Sequence, residues 1–131
     1  MRDVFLQSLV FLANNPETKL EMGITLNLAG SIVSGTLIGD STYFELIKEK
    51  MNSSLNERES SFMTSVINRL TDEINKNEED SEDSGLISNF IHLKDAKFYT
   101  PGNNNPLITV GALWRGKLAD VVGFTFGNLS Q

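Results

Sequence analysis

Few residues in this chain are equipped for chemistry. His92 is the only histidine, and there is no cysteine. A histidine-based metal cluster is therefore impossible, as are thiolate ligands and a thiol nucleophile, and a Ser-His-Asp site would depend on His92 alone. It lies in an alternating run beside Phe90 and Ile91, the setting of a structural or solvent-facing histidine. Trp114-Arg115-Gly116-Lys117 is the one compact basic and aromatic patch. Arg115 and Lys117 can donate to phosphate, carboxylate or backbone oxygens, and Trp114 can stack. The competing reading puts Trp114 in the core and pairs Arg115 with one of many acids. Trp114, Arg115 and Lys117 are the candidate interaction residues.

Five of the six residues 78–83 are acidic. They lack the spaced ligands and mid-run glycine of a calcium loop, so a solvated linker is expected rather than a cation site. The chain has no G-x-S-x-G, no phosphate-binding glycine loop and no H-E-x-x-H. The expectation is a protein with no catalytic residues, cofactor or metal.

Composition narrows the class. With 131 residues, 40% of them hydrophobic, the chain suits a single domain over residues 1–131. A net charge of −6 opposes binding to nucleic acid or to an anionic membrane. Absence of cysteine fits a reducing cytoplasm. The apolar N-terminus lacks a basic start, is interrupted by Gln7 and Ser8, and reads as a helix rather than a signal sequence. No apolar run approaches the ~20 residues of a membrane span.

The elements that would carry these residues follow from periodicity. Residues 2–14 predict a helix stopped by Asn14, Asn15 and Pro16. Its apolar face is unusually broad, with only Gln7 and Ser8 as a polar strip, so either the rest of the fold covers two sides or a second subunit does; subunit contact is favoured. Residues 20–39 predict a β-hairpin turning at Ala29-Gly30-Ser31, with Gly35 marking a bend or bulge. A helical insert follows at about 41–76. Thr42/Glu45 and Ser54/Glu57 are spaced as capping boxes, and Phe62, Met63, Val66, Ile67, Leu70 and Ile74 form a packed face. Residues 75–85 predict a loop, with an acidic flexible linker at about 77–85. Strands are expected at 88–100, 107–118 and 121–127, with a long turn at 101–106. The fold class is α+β: a small, strongly bent antiparallel sheet with an N-terminal helix and a helical insertion.

Two resemblances add to this. Gly35-Thr36-Leu37-Ile38-Gly39-Asp40 resembles the first Sm motif, and Leu113-Trp114-Arg115-Gly116 is similar to its hydrophobic-Arg-Gly second motif. This implies an Sm-like or SH3-like barrel. The asparagine with which that motif holds RNA is not found, Phe44 standing about there, and the insert has no counterpart. RNA or nucleotide binding through Arg115 and Lys117 is thus the alternative function, with nucleic acid an unlikely partner. More specifically, ITLNLAGSIVSGTLIG (24–39) with Tyr43-Phe44, FIHLKDAKFY (90–99) and WRGKLADVVGFTFGNLS (114–130) resemble the gas vesicle accessory protein U family. That resemblance implies a small, acidic, cytoplasmic accessory protein that self-associates during vesicle assembly or clustering. It implies homo-oligomers, gas vesicle proteins as possible partners, and no catalytic residues.

Overall fold

Asp3 starts the first helix. Its carboxylate accepts from the amides of Phe5 (2.9 Å) and Leu6 (3.4 Å), capping α1 (Val4–Asn14) in the computed structural model. The structure describes residues 3–54, 56–80, 89–100 and 112–128. At the other end the Asn15 side chain accepts from the Glu17 and Thr18 amides, turning the chain toward the sheet.

Strands β1 (Met22–Asn27) and β2 (Ile32–Ile38) form the expected hairpin. Ala29 and Gly30 both take positive φ, and Asn27 steadies the turn by accepting from the Ala29 amide. β3 (Phe90–Tyr99) pairs antiparallel with β2, and its register shifts between Ser34 and Thr36. Gly35 lies at that bulge because a side chain would meet the Lys94 carbonyl oxygen at 2.9 Å. β4 (Trp114–Lys117) pairs with β3, and β5 (Gly123–Phe126) with β1. The sheet order is β4-β3-β2-β1-β5.

The sheet is not closed into a barrel, which corrects the Sm-like or SH3-like barrel expected from sequence. β4 and β5 sit at opposite edges and are not paired with each other. They are joined by only residues 118–122, of which Leu118–Asp120 form a 3-10 helix. A flat five-stranded sheet is ~19 Å between its outer strands. A link that is half 3-10 helix, rising ~2 Å per residue, reaches only about 16 Å. The sheet must therefore curl, bringing its edges near without joining them.

The insert differs from expectation at its boundaries. Helix α2 (Asp40–Ser54) starts within a residue of the expected insert, but its cap is Asn14 of α1, which accepts from the Asp40 amide at 2.8 Å, in place of the Thr42/Glu45 box. That cap comes from another helix, so local spacing could not reveal it. Helix α3 (Glu57–Asp80) is capped by Asn56, which accepts from the Glu59 amide and donates to its carboxylate, in place of the Ser54/Glu57 box. α3 continues through residues 75–80, where a loop was expected. An established helix extends at little cost through glutamate and lysine, even with no basic residue in its last turn to oppose the dipole. The remaining linker, the turn at 101–106 and the strand segment 107–111 lie outside the described residues.

The core forms on one sheet face. Leu6, Val10 and Ala13 of α1 pack on Ile24, Leu26, Val33, Leu37, Ile91 and Leu93, with Leu118 closing the end. On the opposite face Phe44 and His92 are buried where α2 crosses β3.

Candidate functional site

Strand alternation splits the basic and aromatic patch. Trp114 pairs with Leu93 and packs half-buried on the α1 face, its ring lying over Gly116. Arg115 and Lys117 point to the other face and are exposed. The Arg115 guanidinium stacks 3.7 Å from the centroid of the Phe90 ring. Trp114 and Lys117 both line an open groove between the hairpin tip, at Leu28 and Ala29, and the link at Asp120 and Val122. The structure thus joins Trp114 with Lys117 along one groove and turns Arg115 away from it.

His92 is only 2% exposed. Its ring lies 4.4 Å from that of Tyr43 and 6.1 Å from that of Phe44, and its Nδ1 is 2.9 Å from the Asp40 carboxylate. The approach is at ion-pair distance but lacks hydrogen-bond alignment, and among the described residues Nε2 also has no partner. Among the described residues, the imidazole is enclosed by Tyr43, Phe44 and Asp40. It ties the start of α2 to β3.

Beside it, burial raises the Tyr43 phenol above its usual value of 10.0, an effect partly opposed by Arg115. A raised folded-state value means that the folded chain holds this proton more tightly than the unfolded chain. The stabilisation is complete below pH 10.0 and is lost as pH rises toward the higher folded value. Denaturant midpoints from pH 9 to 11 are expected to fall with pH and to fall less steeply in Tyr43→Phe, while equal slopes would contradict the assignment.

Beyond the broad α1 face already expected to meet a subunit, the feature that sequence reading missed is an aromatic cluster at the sheet edge. Phe5 of α1 reaches the β5 edge, where its ring lies 5.7 Å from Phe124 and 5.7 Å from Phe126. Val4 and Phe126 are 72% and 55% exposed. Leu6, Val10 and Ala13 face the sheet, so the broad face of α1 is only partly covered. A second exposed stripe, Phe62, Val66 and Leu70, runs along α3. Sequence spacing assigned these three to a packed face, but among the described side chains of that face Ile67 alone is buried, with Met63 half-covered. The hint was present in the breadth of both apolar faces, which exceeds what one neighbour can bury.

The family model described as gas vesicle protein GvpU-like matches residues 3–129. The chain belongs to this family. No curated protein and no solved structure matches it. The family assignment spans α1, the whole sheet and the insert, so the exposed faces of α1, β5 and α3 all fall within the family region. Among the described residues, no helix of this family member is long and apolar enough to cross a membrane.

Proposed function

We propose that the chain is a single-domain, non-catalytic gas vesicle accessory protein that self-associates in the cytoplasm and helps vesicles assemble or cluster. The observation that carries this reading is the exposed apolar surface of Val4, Phe5, Phe126 and the α3 stripe, in a member of a gas vesicle family. Large side chains left exposed in contiguous patches on a small domain favour a protein partner. The enclosed position of His92 supports a structural role for it. Gas vesicle proteins are the proposed partners besides a second copy, with Trp114, Arg115 and Lys117 as contact residues at the rim. Nothing in the geometry favours the RNA or nucleotide alternative, since Trp114 and Arg115 occupy opposite faces of β4.

Vesicle flotation tests the vesicle association. Isolated vesicles rise in a centrifugal field and carry bound protein upward, so the purified chain is expected to co-float with them and to stay in solution without them. A chain that remains in the lower fraction at every vesicle concentration would count against the proposal.

A further inference from the structure

The two free edges of the sheet differ. Among the described residues, nothing pairs with the outer side of β4 or of β5. β4 carries Arg115 and Lys117, and charged side chains guard strand edges against pairing. β5, Gly123-Phe124-Thr125-Phe126, carries no charge. Its partner fixes its backbone orientation. Thr125 pairs with Thr25, and the Gly127 amide donates to the Gly23 carbonyl at 2.9 Å. Hydrogen-bonded and non-hydrogen-bonded pairs alternate along an antiparallel ladder. The amide and carbonyl of Thr125 therefore face β1, while those of Phe124 and Phe126 point away from it. The same two phenylalanines form the aromatic cluster with Phe5 on the α1 face.

We propose that β5 pairs with β5 of a second copy of this chain, antiparallel about a twofold axis through Thr125. This rests on the self-association reading above and names its surface. In that register Phe124 exchanges hydrogen bonds with the partner's Phe126, and Thr125 lies opposite the partner's Thr125. An odd register would put the phenylalanines of the two copies on opposite faces, whereas this one keeps both aromatic clusters and both α1 helices on one side. Val4 and Phe5 of each copy then flank the seam and lose their exposure. The edge is self-complementary, as a twofold contact requires.

The chain has no cysteine, so Thr125→Cys provides a single reporter. Facing residues of a non-hydrogen-bonded pair have Cα atoms about 4.5 Å apart, within the roughly 4.4–6.8 Å that a disulfide accepts. Mild oxidation of Thr125→Cys is expected to give a covalent dimer, while Phe62→Cys on α3 stays largely uncrosslinked. Thr125→Lys sets two like charges face to face and is expected to weaken association roughly tenfold or more. In the unaltered chain, the Phe124 and Phe126 amides are expected to gain hydrogen-exchange protection as concentration rises, a readout that needs no substitution. Three results separate the possible failures. Association with crosslinking at Phe62→Cys and no protection at Phe124 or Phe126 overturns this surface and leaves self-association standing. Association with neither crosslink and no such protection does the same. A parent chain that is monomeric at every concentration overturns both.

Discussion

Gly39→Ala is expected to lower stability by about 3 kcal/mol, a fall in melting temperature of roughly 10 °C for a domain of this size. A side chain at position 39 would overlap the Ala13 carbonyl oxygen and lie 2.9 Å from its carbon and 3.2 Å from the Asn14 Cα. These are backbone atoms near the end of α1, so no rotamer change can relieve the overlap. The seam also holds the Asn14 cap on the Asp40 amide, and Asp40 in turn reaches His92. Separating the two helices would disturb the start of α2 and the enclosure of His92 together. Thermal melts of the variant check this, and an unchanged midpoint would contradict the close approach of α1 to the β2–α2 junction.

Leu37→Ala is expected to cost about 3–4 kcal/mol. Leu37 is fully buried on the central strand, paired with Met22 on one side and Leu93 on the other, beneath α1. No neighbour can fill the space without shifting a strand. Phe62→Ser, at a side chain that is 61% exposed, is expected to change stability by no more than about 0.5 kcal/mol. Urea midpoints of the two variants test the division between apolar residues that build the fold and those that remain available to a partner. A large loss in Phe62→Ser would mean that the α3 stripe is structural.

Much of this fold was legible because its signals are local. Alternation from Met22 to Leu28 and the Ala29-Gly30 turn specify the hairpin, and the strand at 90–99 follows from its β-rich run. Gly35 was readable as a bulge because few other roles suit a mid-strand glycine. The start of α2 was legible to within a residue, but its cap was not, since Asn14 supplies it from far away in sequence. Barrel closure was not legible either. Whether β5 meets β4 depends on sheet curvature and on which edge each strand joins, and neither is encoded in strand periodicity. The patch at residues 114–117 shows the limit most clearly. Adjacent in sequence, Trp114 and Arg115 are sent by one peptide step to opposite faces of the sheet. The cluster of exposed Phe5 and Phe126 with half-buried Phe124 joins residues far apart in sequence, so no window of sequence could contain it.

The proposed self-association rests on the apolar surface that this fold leaves uncovered. Sedimentation equilibrium of the unaltered chain, from a few to several tens of micromolar, tests it most directly. The average mass is expected to rise with concentration from that of the 14.5 kDa chain toward at least a dimer. A mass that stays at the monomer value across the whole range would contradict the account.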